Sequence, residues 1–254
     1  MIRVIILGAG NVAKHLYAAF YNQKSVEVVQ CYNRKGLLLH PDQKENTIIQ
    51  DLSSLQEADI YILAVSDDAI EEVSNLLPFT NKLIVHTSGS VPINALVNTN
   101  RRGVFYPLQT FSKDKTVDFS AIPFCLEAEN EADLTLLKKL SAPLSNKVYE
   151  ISSEQRNILH VSAVFVNNFT NYLFSTANDI CNEHDVPFEI LHPLILETAQ
   201  KITKMNPDLA QTGPGIRNDS KTINRHLKII TDTTQQELYK TLTKAIQFKY
   251  GKKL

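Results

Sequence analysis

Residues 2–13 read IRVIILGAGNVA, and this stretch decides the fold of the chain. The apolar, β-branched run at residues 2–7 predicts a buried strand, and the residues after the turn predict a helix. The turn matches the dinucleotide fingerprint, with Ala13 in the place of the third glycine. Gly8 permits a tight turn, and Gly10 lets the backbone approach a pyrophosphate. The helix N-terminus then offers its unpaired N–H groups to the phosphates.

A glycine turn after a strand also arises for steric reasons alone, and a doubly wound fold that binds no nucleotide is one alternative. Three features favour nucleotide binding. The motif begins at the extreme N-terminus, it lies between a clear strand and a clear helix, and a second strand follows at the expected distance. We therefore expect Gly8, Gly10, Asn11 and Val12 to meet a pyrophosphate.

The residues after the second predicted strand, 26–32, indicate which dinucleotide is bound. About 20 residues after such a turn, an NAD enzyme usually has Asp or Glu, whose carboxylate binds the adenosine ribose. This chain has Asn33, Arg34 and Lys35 there instead. Two cations and an amide suit a 2′-phosphate, which a carboxylate would repel. The spacing favours NADP over NAD, held by Asn33 and Arg34, although a solvated basic loop has the same composition.

Composition and charge exclude several classes of protein. The 254 residues carry a formal net charge of −1, so no basic excess points to nucleic acid or to an anionic membrane. No stretch approaches the ~20 apolar residues of a transmembrane helix, and no leader-like segment opens the chain. Cys31, Cys125 and Cys181 are widely separated and show no metal-ligand or disulfide spacing. These features predict a cytoplasmic protein without a metal site.

The order of predicted elements indicates the fold class. Strands and helices alternate over about 150 residues, which is typical of an α/β, doubly wound and mostly parallel Rossmann sheet. Val65 ends the strand predicted at residues 59–65 and Ser66 follows it, and both are expected along the bridge from adenosine to nicotinamide. From residue 153 only helical patterns remain. We therefore predict a Rossmann domain at residues 1–152 and a separate all-helical domain at residues 153–254. The other predicted strands are 82–86, 103–106, 122–126 and 147–151, and the main predicted helices are 131–140, 154–183, 187–205, 219–230 and 233–250.

Four motifs of the first domain occur together: GAGNVA at residues 8–13, the strand end Asn33-Arg34, LAVSDDAI at residues 63–70, and Ser88-Gly89 after a predicted strand. As a set they resemble the superfamily of pyrroline-5-carboxylate reductase and 6-phosphogluconate dehydrogenase. The resemblance implies an NADP-binding fold.

A closer likeness covers nearly the whole chain. Its motifs are HTSG at residues 86–89, YPLQTF at 106–111, HVSAVFVNN at 160–168, and TGPGIRND at 212–219 followed by Thr222 and His226. They resemble a family of NADP oxidoreductases that combine a Rossmann-like domain with a C-terminal domain of unknown function. The resemblance implies a homodimer formed through the helical domain, but it supplies no substrate.

The first candidates for chemistry lie on the helix that opens the second predicted domain. Hydride transfer to C=O or C=N needs a proton donor beside the acceptor atom. Related dehydrogenases place a lysine and an asparagine on the helix that here carries His160 and Asn168, and that lysine acts in acid–base catalysis. No lysine lies between Lys147 and Lys201. We expect His160 to replace it, unless His160 is a structural histidine paired with backbone.

Two further residues are candidates for holding the substrate. Ser88, in a strand-end loop, binds a carboxylate or carbonyl, or else serves as a turn or cap residue. Arg217 grips a substrate carboxylate with two hydrogen bonds, or else pairs with Asp219. We interpret His86 as a buried, hydrogen-bonded histidine and residues 106–111 as a wall of the cleft.

The sequence therefore predicts an NADP-dependent oxidoreductase that transfers a hydride to or from a small, carboxylated carbonyl or imine compound. A second hypothesis is an NADP(H)-binding sensor or scaffold that transfers no hydride. The missing lysine keeps this alternative open.

Overall fold

The structure is a computed structural model that describes residues 1–113 and 115–251. The chain divides into two compact units, Met1–Ala163 and Val164–Leu254. The domain boundary that the sequence predicts at residue 152 remains a prediction. Residues 252–254, the end of the predicted helical domain, lie outside the described residues.

Within the described residues, eight strands form one sheet in the first unit. They are β1 (Ile2–Leu7), β2 (Val26–Tyr32), β3 (Ile48–Ile49), β4 (Ile60–Leu63), β5 (Leu83–His86), β6 (Arg101–Pro107), β7 (Phe124–Ala128) and β8 (Val148–Glu150). Their order is β3-β2-β1-β4-β5-β6-β7-β8, and neighbours are parallel except for the antiparallel pair β6–β7. This confirms the predicted doubly wound, mostly parallel sheet. The two-residue strand β3 lies in a stretch where the sequence shows no strand pattern.

Strand β1 lies at the centre of the sheet because both of its faces are apolar. Its last four residues, Val4 to Leu7, are completely buried, as expected for a parallel strand covered on both sides. It pairs with β2 on one side and with β4 on the other. Strands β2 and β3 are added on one side of β1, and β4 and the later strands on the other side. The strand order therefore reverses between β1 and β4, and a crevice opens beyond their carboxyl ends.

Two layers of helices cover the sheet. On one face, α1 (Asn11–Tyr21) and α3 (Glu131–Ser141) pack against a core that includes the rings of Phe20, Phe105 and Phe124. On the other face, α2 (Ile70–Asn75) buries Ile70 against β1, β4 and β5. The strand-to-helix alternation of the sequence thus leads directly to the layered α/β core.

The long helical pattern predicted for residues 154–183 is confirmed as a run of three segments. They are α4 (Ser153–Ala163), a π-helical segment (Val164–Phe169) and α5 (Thr170–Glu183). A π turn inserts extra residues into a helix, and such segments are frequent at functional sites. The periodicity of the sequence does not reveal it. It contains Asn168 and immediately follows the unit boundary.

The start of α4 is anchored to the sheet by a buried ion pair. Arg156, which is 1% exposed, forms an ion pair with Glu127 of β7 and donates a hydrogen bond to the Val91 carbonyl. Ser153 adds bonds from its N–H and hydroxyl to the same carboxylate. His160 lies four residues after Arg156, so this network fixes the face of α4 that carries His160.

The second unit contains only helices among its described residues. After α5 they are α6 (His192–Lys204), α7 (Pro207–Ala210), α8 (Ser220–Ile229) and α9 (Thr233–Tyr250). Asp219 and Asp232 cap α8 and α9 through their side chains. This confirms the predicted all-helical part, although α7 was not expected. Within the described residues, no helix has the length and apolar composition required to cross a membrane.

Replacing Arg156 by Ala should lower the free energy of unfolding by about 3–5 kcal/mol, because Glu127 would keep a largely buried charge without its partner. Arg102 and Glu129 form a similar pair nearer the surface, so Arg102→Ala should cost less than about 1 kcal/mol. Urea denaturation of both variants measures the difference. Equal losses would contradict the anchoring role of the buried pair.

Candidate functional site

A cleft of about 570 Å³ opens at the carboxyl ends of β1, β2 and β4. Its place at the switch in strand order is where doubly wound sheets bind their ligands. The structure brings all eight predicted cofactor-binding residues to its wall: Gly8, Gly10, Asn11, Val12, Asn33, Arg34, Val65 and Ser66.

The two glycines of the turn, Gly8 and Gly10, differ in how much space a side chain would have. Gly8 has a φ of +128°, and a Cβ on it would lie 2.1 Å from the carbonyl oxygen of Ala64. A side chain is therefore excluded at Gly8 by both conformation and packing. A Cβ on Gly10 would meet no atom of the described residues within 4 Å, so a side chain there would extend into open space beside the cleft. Gly10 thus leaves free the room that a diphosphate needs.

The N-terminus of α1 is built to meet an anion. In the part of the chain that the structure describes, no side chain caps it, and no acidic residue lies in its first turn. Its first N–H groups and the positive end of its dipole are therefore available to phosphate oxygens. Asn11 donates its side-chain amide instead to the Phe111 carbonyl, at 2.9 Å, and His15 donates to the Ser112 carbonyl at 3.0 Å. These bonds hold the segment after β6 beside the helix, and Gln109 and Phe111 line the cleft.

The far end of the cleft is cationic. Arg34 and Lys35 are exposed, and within the described residues neither forms an ion pair. Asn33 is buried and shapes the loop that carries them. Its side-chain oxygen accepts from the N–H of Leu37 at 2.8 Å, and its amide donates to the Leu37 carbonyl at 2.8 Å. The geometry therefore leaves the cations to meet an anion, while Asn33 is engaged in its own loop.

These features fit a dinucleotide with a 2′-phosphate. The cleft combines an uncapped helix N-terminus, unpaired cations about 20 residues later, and an apolar wall between them. That wall includes Leu52, Val73 and Leu76, which suit the flat face of a base. Glu72 also lines the cleft, but no carboxylate stands at positions 33–35.

The predicted substrate residue Ser88 lies in a tight turn next to the cleft. Its hydroxyl oxygen accepts from the N–H groups of Ser90 and Val91, at 3.1 and 3.0 Å. The Ser90 hydroxyl in turn donates to the carboxylate of Asp67 at 2.5 Å, and Asp67 directly follows Ser66 of the cleft wall. The turn is thus tied to the Ser66 end of the cleft. Its geometry matches the turn-serine alternative for Ser88.

His86 is completely buried at the end of β5. Its Nδ1 accepts a hydrogen bond from the N–H of Ser88 at 3.2 Å, so the neutral ring carries its proton on Nε2. Burial, together with the positive charge of Arg156, lowers the pKa of His86 to about 3. This residue stays neutral at physiological pH and cannot supply a proton there, in agreement with its interpretation as a structural histidine.

His160 lies against the Ser88-Gly89 turn. A Cβ on Gly89 would be 2.6 Å from Nδ1 of His160 and 2.8 Å from Cζ of Tyr106. The Tyr106 hydroxyl and Nδ1 of His160 are 3.4 Å apart. The structure therefore brings together two predicted parts of the site, His160 and the Ser88 turn. It adds Tyr106, for which the sequence indicates a cleft wall but no chemical role.

Asn168 and Arg217 belong to the second unit. Asn168 is exposed within the π-helical segment, and Arg217 is exposed in the loop before α8. Asp219 caps α8 by accepting from the N–H of Thr222 at 3.1 Å, which is the structural role that its position suggests. The assignments of Asn168 and Arg217 to a substrate site stay predictions.

This chain is similar to one described protein family and to several solved structures. Residues 122–246 match the family described as a domain of unknown function, DUF2520. A "putative NADP oxidoreductase" from Bacteroides fragilis is 37% identical, with a TM-score of 0.84, and the match covers 97% of this chain and 98% of that one. Among curated proteins, no sequence matches this chain.

Two more distant structures share the fold. A protein from Thermotoga maritima, TM1727, is 21% identical with a TM-score of 0.72, over 96% of this chain and 97% of that one. Pyrroline carboxylate reductase from Plasmodium falciparum, solved with NADP bound, is 14% identical with a TM-score of 0.61, over 98% and 97%.

Below pH 6.5 the wild-type chain should lose stability more steeply than a His86→Gln variant. Because the folded pKa is lowered to about 3 from the ordinary 6.5, the unfolded chain binds a proton that the folded chain does not. The stability present above pH 6.5 is therefore lost as the pH falls towards 3. Urea denaturation at several pH values should show slopes that differ by up to about 1.4 kcal/mol per pH unit.

The control for this measurement is His184→Gln, which removes an exposed histidine and should keep the wild-type slope. Parallel pH dependences for the wild type and His86→Gln would contradict a buried, neutral His86.

Proposed function

The chain belongs to the NADP oxidoreductase family of the Bacteroides fragilis protein, and from this premise we propose that it transfers a hydride between NADP(H) and a small, carboxylated carbonyl or imine compound. The observation that carries the proposal is the cleft that extends from the glycine turn to the exposed cations Arg34 and Lys35. A site of this composition suits a dinucleotide that carries an additional phosphate.

We assign the parts of the coenzyme to the wall of the cleft. Gly8, Gly10 and the N–H groups that begin α1 would hold the pyrophosphate, and Arg34 would hold the 2′-phosphate. Val65 and Ser66 would lie along the path towards the nicotinamide. When bound in its reduced form, the coenzyme supplies the hydride.

The acceptor side of the proposal rests on His160, Ser88, Asn168 and Arg217. His160 lies at the turn that adjoins the Ser66 end of the cleft, which supports a place near the reacting atoms. Arg217 is an exposed guanidinium suited to a carboxylate. The reductase from Plasmodium falciparum acts on a carboxylated imine, as its name states, and this supports the same substrate class here.

Stopped-flow measurement of NADPH oxidation against a panel of 2-oxo acids and cyclic imino acids tests hydride transfer. The proposal requires substrate-dependent loss of NADPH absorbance with at least one member of the panel. Tight NADPH binding with no turnover on any member would favour the sensor hypothesis, which the missing lysine between Lys147 and Lys201 already motivates.

We also propose that the helical unit forms a homodimer. Ile230 is the one hydrophobic residue of this unit that is buried among its described residues. Many large apolar side chains are exposed instead, including Phe165, Val166, Leu194, Leu196, Leu209 and Phe248. A unit of this size cannot remain folded with so little apolar surface buried, and such a surface marks an interface. A second copy of the chain is the occupant that best fits, since identical apolar helix faces are self-complementary and two-fold dimers are the commonest oligomers.

Sedimentation should give a mass of twice 28.6 kDa for the wild-type chain. Tyr172→Glu should shift the mass towards that of the monomer, because it places a charge among the exposed apolar residues of α5. The matched control is Tyr149→Glu in the first unit, since both tyrosines are 55% exposed. A wild-type chain that stays monomeric at all concentrations would contradict the proposed dimer.

Replacing Arg34 by Ala should weaken NADPH binding by about 10- to 100-fold, because a charge-assisted bond to the 2′-phosphate is lost. NADH, which lacks that phosphate, should be affected little. Calorimetric titration of both coenzymes measures the two losses, and Lys44→Ala, an exposed cation outside the cleft wall, serves as control. Equal losses for NADPH and NADH would contradict the assignment of Arg34.

A further inference from the structure

We propose that the Tyr106 hydroxyl, paired with His160, donates the proton to the oxygen or nitrogen of the double bond that is reduced. The inference rests on the proposed hydride transfer and names the residue that completes it. His160 then acts through Tyr106 and restores its proton, so His160 is a positioning and relay residue.

The first support is the convergence of three separate elements on one point. Tyr106 is the second-last residue of β6, His160 lies on α4, and Gly89 follows β5. The carboxyl ends of the parallel strands β5 and β6 meet at the same edge of the sheet as the cleft. The Tyr106 hydroxyl is therefore at the edge where a hydride acceptor would lie.

The second support is the close approach that Gly89 permits. Any side chain on Gly89 would collide with Nδ1 of His160 and with the Tyr106 ring. The 3.4 Å between the hydroxyl and Nδ1 is long for a hydrogen bond, which is usual before substrate tightens a catalytic pair. The rings meet edge to face, with centroids 6.5 Å apart. Glycine at this position is thus a condition for the pair.

The third support is the electrostatic setting of Tyr106. Burial, together with nearby Cys125 and Asp67, raises the pKa of Tyr106 to about 12. The positive charge of Arg156 acts in the opposite direction and lowers this pKa. Burial also raises the pKa of the Cys125 thiol to about 11, so this neighbour stays uncharged. Tyr106 therefore keeps its proton at neutral pH. Although burial weakens it as an acid, it remains a stronger acid than the alcohol or amine that hydride transfer forms, so the proton still moves to the reduced heteroatom.

The other polar groups of this region are less suited to give a proton. His86 is neutral and buried, and its Nδ1 already accepts a bond. The oxygen of Ser88 accepts two backbone N–H groups and closes its own turn. No lysine is present between residues 147 and 201. Of these groups, Tyr106 is the proton donor that also contacts a second titratable side chain, His160.

Reduction of the double bond requires one hydride and one proton. The acceptor carbon gains a hydride with its electron pair, and the π electrons of C=O or C=N move onto the heteroatom. The Tyr106 O–H bond breaks and its proton passes to that heteroatom. The phenolate then takes a proton from Nδ1 of His160, and the half-buried ring of His160 regains a proton from solvent. The substrate gains the two electrons that the nicotinamide loses.

The pairing is tested without any turnover by NMR of the chain labelled with ¹⁵N-histidine. Seven histidines are present, and His160→Asn identifies the signal that belongs to His160. Tyr106→Phe should change the Nδ1 chemical shift of that one imidazole, and should leave the signals of the other six histidines unchanged. Tyr149→Phe, which removes an exposed hydroxyl, should change none of them. An unchanged His160 signal in Tyr106→Phe overturns the proposal.

The chemical role is tested with the most active substrate of the 2-oxo acid and imino acid panel. Tyr106→Phe should lower the single-turnover rate of NADPH oxidation by ~10²–10⁴-fold, the range for loss of a general acid. Its Kd for NADPH should stay within twofold of wild type, and Tyr149→Phe should keep the wild-type rate. Gly89→Ala, which keeps both side chains but separates them, should lower the rate in the same direction.

The pH dependence distinguishes a relay from a packing contact. The steady-state rate of the wild type should fall towards high pH, because His160 must return a proton to Tyr106 after each turnover. His160→Asn should be slower and should lose this pH dependence. Tyr106→Phe with a wild-type rate overturns the proposal while hydride transfer stands. A wild-type chain that binds NADPH but reduces no panel member overturns both.

Discussion

The contact between Gly8 and the backbone of Ala64 is the constraint on which the rest of the structure depends. Gly8 leaves β1 with a positive φ, and its Cα lies so close to the Ala64 carbonyl that no side chain fits between them. This close approach joins the end of β1 to the end of β4, the two strands between which the sheet order reverses. The crevice, the exposed N-terminus of α1 and the path to the Ser66 wall all follow from it.

The first unit has positive groups in two different environments. At the cleft, positive groups have no partner among residues 1–113 and 115–251: the N-terminus of α1 lacks a capping side chain, and Arg34 is exposed without an ion pair. At the base of α4, the charge of Arg156 is buried and compensated by Glu127. Unpaired charge at the surface is available to a ligand, whereas paired charge inside the protein fixes geometry. The same residue type is therefore exposed and available to a ligand at position 34, whereas at position 156 it is buried and fixes the geometry of α4.

Much of the fold could be predicted because it depends on local patterns. Apolar β-branched runs specify the central strands, and Asp219 caps α8, as its position directly before a helical pattern suggests. The strand β3 and the π-helical segment Val164–Phe169 could not be predicted. The first is too short to show alternation, and the second follows from packing, which periodicity does not report.

The candidate site was predictable where it is continuous in sequence and not where it is assembled from distant segments. The turn at residues 8–12 and the cations after β2 are read from spacing alone. The capture of the Asn33 side chain by its own loop needs coordinates. So does the approach of Tyr106 to His160, which joins residues 54 positions apart. Long-range pairing of this kind leaves no periodic or spacing signal in one sequence.

Calorimetric titration of the purified chain with NADPH, in parallel with a Gly10→Val variant, tests the central claim most directly. We predict saturable binding of one NADPH per chain to the wild type. Gly10→Val should abolish that heat while the protein stays folded, because a Cβ on Gly10 meets no protein atom and would occupy only ligand space. No heat with NADPH or NADH on the folded wild-type chain, or unchanged binding to Gly10→Val, would contradict the account.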